Sequence, residues 1–413
     1  MKPRFNLKGI FTARYAATLL SILIFAFYIA APLAIFSFAT NNPLYLKMAG
    51  MATITLIGIA VGRMLPTITP HLSKRPKKLV ISERRLTYGT FAIFLSFVIL
   101  TTYTAASIPI FSAIQGFTSE DLSNERGAFL KGREGAWILL LYISSILSSS
   151  ILPYSILLAF HTKHHLRKVF AATFLIYSSL FLVKALFLNL LLPIVSYTIE
   201  KSPSRFGKTL SYLITAVAVL LFMIWISGYG SLEATSSFDM SDYFSTRYIP
   251  TGVFDYLVYR SFAVPVFSVV DTLHVHETLF NGELLQGKTS SLIAGLLGVE
   301  KINIERYVAE YQYGGWNDFA NSNVAFFVDG YVNFGWIGVL IFGIIVGQIY
   351  KYFSNSDDIA FRSLSLLFTY QLLASPLIQM LLSNGWIILF FAMAYTRLSK
   401  RRSSPQQYEF KNL

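Results

Sequence analysis

Several uncharged apolar runs in this 413-residue chain are long enough to cross a bilayer as helix, which takes ~20 residues per crossing. Residues 15–38, 88–114 and 136–160 are the clearest. Backbone polar groups in lipid must be satisfied internally, so a chain of this kind folds as helices or as a closed barrel. The runs are continuous rather than alternating, and short basic or polar connections separate them, which excludes the ten-residue strands of a barrel. Charged residues make up 13% of the chain, against about a quarter in soluble domains. The expected fold is an all-α polytopic membrane protein. With no cysteine there is no disulfide, thiolate nucleophile or thiolate metal site, although this leaves the compartment open.

Lys2, Arg4, Lys8 and Arg14 precede the first run, which is longer than the h-region of a signal peptide and reads as the first membrane helix. Further spans are expected at 48–61, 88–114, 136–160, 170–183, 185–198, 210–228, 336–353, 361–382 and 386–395, ten helices in all. Six connecting or terminal segments (1–14, 63–85, 161–168, 200–208, 351–362 and 397–413) hold 24 of the 34 basic residues but five of the 21 acids. Their net charge is +19 against −6 for the rest, which places them and both termini in the cytoplasm. The overall +13 is therefore topology and contact with anionic lipid, not nucleic-acid affinity. His161, His164 and His165, beside Lys163, Arg167 and Lys168, join that basic cap.

Residues 169–198 are apolar except for Lys184 yet have basic segments on both sides, so the stretch must go out and return, as two half-length spans meeting at Lys184. One long tilted helix is the alternative, and it would reverse every later loop. The organisation expected is a membrane bundle of about seven helices over 1–228, a large external loop over 229–334 carrying short helices, and a C-terminal bundle of about three helices with a basic tail over 335–413. Ser290 or Ser291 is placed to cap a short apolar helix that lies on or dips into the membrane surface. A second external loop, 115–135, carries Glu120, Asp121, Glu125, Arg126, Lys131, Arg133 and Glu134.

Lys184 is the most telling single residue, because an ammonium at membrane depth needs water, an acid or an anion. Its two readings are an anionic-ligand contact and a lysine snorkelling at a hairpin tip. Arg260 lies in an apolar, aromatic setting before Pro265 and reads as a carboxylate or phosphate ligand, whereas Arg247 reads as the ion-pair partner of Asp239, Asp242 or Asp255. His274, His276 and Glu277 lack the i, i+4 spacing of helical zinc sites, so no metal is expected, though a histidine there suits a general base. From Trp316 to Trp336 the chain is dense in amides, carboxylates and rings. Trp316, Asn321, Asn323 and Asn333 there suit stacking on sugars and hydrogen bonding to their hydroxyls, with caps, turns and interfacial aromatics as the alternative. Neither a phosphate-binding G-x-x-x-x-G-K-[ST] loop, nor a dinucleotide G-x-G-x-x-G, nor a G-x-S-x-G elbow is present.

The many-helix layout, the basic residue in Val183-Lys184-Ala185, Tyr259-Arg260-Ser-Phe with Pro265, and the run from Asp329 to Gly338 entering a late helix together resemble the Wzy-type O-antigen polymerase family of oligosaccharide repeat-unit polymerases. Most of the chain shares the architecture, and a few short motifs share sequence. Lys184 stands where many relatives carry arginine, which keeps the charge but loses the bidentate fork. The resemblance implies a GT-C-like helical fold in the bacterial inner membrane, without metal or other cofactor. The implied reaction transfers a growing glycan from an undecaprenyl-diphosphate carrier to the non-reducing sugar of a new lipid-linked repeat, at the periplasmic face. The donor, the acceptor and membrane lipid are the implied partners, and a chain-length regulator protein is compatible with them. Arg260 and Lys184 are then expected at the diphosphate, with Arg126, Arg133, Arg247 and Arg306 as lesser candidates. Asp329 leads as the general base, with His276 and Glu305 as alternatives, and a turn or cap onto Gly330 is the bland reading of Asp329. An O-antigen ligase would use the same donor, and a lipid-linked oligosaccharide flippase is the reading from another class, although inverted repeats and charged spans are not evident.

Overall fold

The computed structural model describes residues 10–67, 79–202, 206–226, 239–315 and 319–399. Among these, six helices are long and apolar enough to cross a membrane. In chain order the elements begin with α1 (Ala13–Phe38), α2 (Leu44–Met64), β1 (Leu79–Ser82), α3 (Glu83–Tyr103), α4 (Pro109–Ile114), α5 (Ser119–Lys131) and α6 (Gly135–His161). There follow α7 (Arg167–Leu180), α8 (Lys184–Lys201), α9 (Phe206–Ile226), α10 (Met240–Tyr243), α11 (Val253–Leu279), α12 (Ser291–Leu297) and α13 (Ile304–Tyr313). The chain closes with α14 (Phe326–Asn355), α15 (Ile359–Ser363), α16 (Ser365–Ala374), α17 (Leu377–Leu382), α18 (Trp386–Tyr395) and β2 (Thr396–Ser399). The two strands pair in parallel, a small departure from an all-helical chain at the point where two segments leave the bundle and their backbones need partners.

Polar contacts sort the helix ends into two faces. On the basic face Glu200, at the end of α8, accepts from the Ala13 amide at 2.8 Å and from Arg362 Nη2 at 3.1 Å. Tyr154 near the end of α6 donates to Asp358 at 2.7 Å, and Lys351 near the end of α14 donates to the Leu65 carbonyl, just past α2, at 2.6 Å. The opposite, far face therefore carries the starts of α2 and α8, with Lys47 and Lys184. Between α7 and α8 the chain breaks at Leu182, held at φ 52 where a branched side chain is disfavoured, so residues 169–198 form two helices that meet beside Lys184.

Packing is tightest between α2 and α14. Gly58 and Gly62 on one, and Gly343 and Gly347 on the other, repeat at four-residue spacing, and a Cβ on any of them would run into backbone of the facing helix. Small residues spaced this way allow backbones to touch where lipid removes the hydrophobic drive for association. In α6 a wide π turn over Leu147–Ile151 precedes Pro153, which cannot donate to the Ser149 carbonyl. Gln371 donates to that carbonyl at 3.2 Å and Asn189 to the Ser148 carbonyl at 3.1 Å, while Trp386 Nε1 holds Gln371 Oε1 at 2.6 Å. Buried amides thus replace the helix bonds that the proline removes.

Three expectations about the membrane segments change. The span expected at 361–382 is divided into α15, α16 and α17, while the helix expected at 386–395 is present with those bounds as α18. In line, α15 and α16 make one apolar helix of 16 residues, Ile359–Ala374, about 24 Å long, and the chain bends at Ser375 and Pro376 before α17. The external region 229–334 was expected to hold only short helices, yet it contains the 27-residue α11. Pro265 sits inside that helix. Although α11 has the length to span, its first turns meet Lys184 through Tyr256 and its last turn meets Lys47 through Glu277, so both ends lie on the far face. Its middle dips to α1, where Phe262 meets Phe27 at 5.2 Å between ring centres. Third, residues 326–334, expected as a connection, are helical, and Gly335 at φ 65, ψ −157 reverses the chain so that Gly330 packs on Gly338.

Candidate functional site

Helix α11 organises the far face, with cations gathered at one end and carboxylates at the other. At its N-terminal end the Lys184 ammonium lies 5.3 Å from the centre of the Tyr256 ring, and Arg126 and Arg260 are near enough for their charges to repel it. Three separate elements, α5, α8 and α11, supply these three cations. Three cations gathered from separate elements on one face suit an anion with several oxygens. Arg260 is exposed and Lys184 half-buried, so the group opens outward.

The other expected cations fall elsewhere. Arg133 closes the end of α3, donating to the Thr101 carbonyl at 3.0 Å and to the Thr104 hydroxyl, and binds the Phe129 carbonyl at 2.8 Å. Arg247 points into solvent with Asp242 at 3.9 Å, the ion-pair arrangement expected of it. Arg306 pairs with Glu310 at 2.7 Å, one turn along α13.

Asp329 and Glu305, both buried, flank a narrow cleft lined also by Thr272, Ser322 and Pro376. Oδ1 of Asp329 accepts from Asn333 Nδ2 at 2.8 Å and from the Thr289 hydroxyl at 3.2 Å. Its Oδ2 is buried without a direct hydrogen bond, with the Ile378 backbone at the start of α17 facing it. Asn333, fully buried, accepts from the Gly287 amide at 2.9 Å, and its carbonyl accepts from the Gln286 amide at 3.0 Å. Asp329 and Asn333 thus clamp the loop at 283–289 onto the helical turn before Gly335. His276 lies at the other side of that loop, with Nε2 donating to the Glu283 carbonyl at 2.8 Å and its Nδ1 buried without a partner. Beside it, Lys47 is 2.7 Å from Glu277 and 4.5 Å from the centre of the Tyr331 ring. Asn321 and Asn323 are exposed on the extended stretch before α14, and Trp316 lies outside the described residues.

One polar group escaped the sequence reading. Asp271, on α11, accepts from Gln312 Nε2 of α13 at 2.7 Å, and Gln312 also approaches the Ser268 hydroxyl at 3.4 Å, with the Ser322 hydroxyl 3.3 Å from that of Ser268. The available signal was its position, eleven residues after Arg260 and therefore on the same side of a helix. Unlike Asp329 and Glu305, Asp271 is only half-buried. The chain matches no protein-family model, no curated protein and no solved structure.

Proposed function

We propose that this chain is a Wzy-type glycan polymerase of a bacterial inner membrane, with both termini cytoplasmic and the far face periplasmic. On this reading it transfers a growing glycan from an undecaprenyl-diphosphate carrier onto the non-reducing end of a lipid-linked repeat unit, in the synthesis of O-antigen or a related surface polysaccharide. The observation that carries the reading is the convergence of Lys184, Arg126 and Arg260 on the far face. A departing polyprenyl diphosphate gains negative charge as the glycosidic bond to it breaks, and fixed cations beside it favour that transition state more than the ground state. The donor arrives activated, which agrees with a sequence that has no phosphate-binding loop. The charge asymmetry of the loops supports the orientation. The ten-helix, GT-C-like architecture expected from the resemblance is carried here as part of the proposal.

Purified protein in liposomes with lipid-linked repeat units as the sole substrate tests the reading. A ladder of lipid-linked polymer is the expected product. Transfer only to an added lipid A core sugar would make the chain a ligase, and a change of lipid sidedness without new glycosidic bonds would make it a flippase.

A further inference from the structure

We propose that Asp271 is the general base that takes the proton of the acceptor hydroxyl, within a sugar-hydroxyl subsite completed by Gln312, Ser268 and Ser322; this rests on the polymerase reading above. Three observations converge on it. Asp271 follows Arg260 by eleven residues, about three helical turns, which sets the two on one face of α11 with ~16 Å between their backbones. A phosphate held by the arginine, the anomeric carbon it leaves and the attacking hydroxyl must lie in sequence between a cation and a base.

Gln312 supplies the second observation. Its side chain is 8% exposed, its Nε2 is bound to Asp271, and its Oε1 is buried with no donor. The carboxylate dictates this orientation, since a flipped amide would set oxygen against oxygen. A buried acceptor left open beside a reachable carboxylate is suited to a ligand hydroxyl, which leaving it unmet would otherwise penalise. Sugar hydroxyls, each both donor and acceptor, match the alternation of Gln312 Oε1 with the Ser268 and Ser322 hydroxyls. The third observation is access: Asp271 is half-buried, whereas Asp329 is enclosed and clamps a loop.

In the step itself, the acceptor oxygen forms a bond to the anomeric carbon as the bond from that carbon to the diphosphate oxygen breaks. The leaving diphosphate keeps the electron pair, and the acceptor proton passes to an Asp271 carboxylate oxygen, so no further reactant is needed. Asp271 is faced by His274 and Tyr259 on its own helix, by Tyr45 of α2 and by Tyr311 of α13.

The test uses the full-length protein in liposomes with lipid-linked repeat units. Asp271→Asn is expected to lower kcat by a factor on the order of a hundred or more while leaving KM nearly unchanged, and to remove the acidic limb of the kcat/KM profile. Asp271→Glu is expected to recover part of the rate. A folded Asp271→Asn protein with wild-type kcat and an intact acidic limb overturns the assignment. Should that variant fail to fold, Gln312→Met decides: losing the donor to the carboxylate disfavours its charged form, so the acidic limb must move to higher pH, and an unmoved limb overturns the proposal. Absence of polymer from the wild-type protein would sink the polymerase reading itself, an outcome distinct from an active wild type with an indifferent Asp271.

Discussion

Lys184 and Tyr256 stack with 5.3 Å between the ammonium and the ring centre, joining the turn between α7 and α8 to the first turns of α11. The contact fixes the lysine one helical turn from Arg260, on the same helix as Tyr256. It holds an ammonium beside the guanidinium groups of Arg126 and Arg260.

Removing either Lys184 or Arg260 should therefore impair turnover rather than folding. We expect Lys184→Ala and Arg260→Ala to lower polymer formation by a factor on the order of a hundred, as loss of a transition-state donor does elsewhere. Lys184→Arg should keep most of the activity, because the charge stays. Melting temperatures close to wild type, measured beside the rates, separate this from a structural loss. Unchanged rates in both alanine variants would remove the cations from the site.

Asp329 should respond differently. Its Oδ1 accepts from Thr289 and Asn333, so Asp329→Ala removes two hydrogen bonds that fix the loop at 283–289, a loss of about 1–3 kcal/mol. We expect a lower melting temperature together with a near-normal kcat for the protein that remains folded. A stable but catalytically dead Asp329→Ala would return the role of base to this residue.

The glycine seam gives a third expectation. Gly62→Leu and Gly343→Leu force side chains into facing backbone, and neither protein should accumulate in the membrane in folded form. Gly89→Ala, on α3 with open space where its Cβ would go, should instead be neutral or gain up to about 1 kcal/mol through helix propensity. Thermal unfolding in detergent compares the three, and a Gly343→Leu protein as stable as wild type contradicts the packing.

The path of α11 can be read by labelling, because the chain has no cysteine of its own. Single cysteines at Phe254 and Thr278, both exposed and at opposite ends of the helix, should react with an impermeant reagent from the same, periplasmic side. A cysteine at Ser354, near the end of α14, should react only from the other side. Reaction of positions 254 and 278 from opposite sides would mean that α11 crosses the bilayer.

The sequence disclosed those parts of the molecule that local physics determines. Continuous apolar runs gave the long helices, and the basic residues around 169–198 gave the break beside Lys184, since charge asymmetry and hydrocarbon thickness act on segments one at a time. Helix α11 was harder to see. Its aromatic residues and Pro265 suggest a punctuated loop, and only packing on α1, α2 and α13 makes those residues one continuous helix. The bend after α16 was hidden for a related reason, because α16, Ser375, Pro376 and α17 together have the apolar length of one crossing. Asp271 looks like a lone acid among apolar neighbours until the fold brings Gln312, forty-one residues later, into contact with it. Asn333 was misleading in the opposite sense: its amide suits a sugar, but the loop at 283–289 already occupies it.

Where Gly58 and Gly62 lie against Gly343 and Gly347, no side chains stand between the helices to be moved aside. A wall built from touching backbones can shift as one piece but cannot part. On the polymerase reading proposed above, a lipid-borne donor moving in the plane of the membrane would find that flank shut and would enter on another side of the bundle. Along α3 and α7, large side chains such as Ile93, Ile99 and Ile176 already face outward, and side-chain rotation alone could open a passage there.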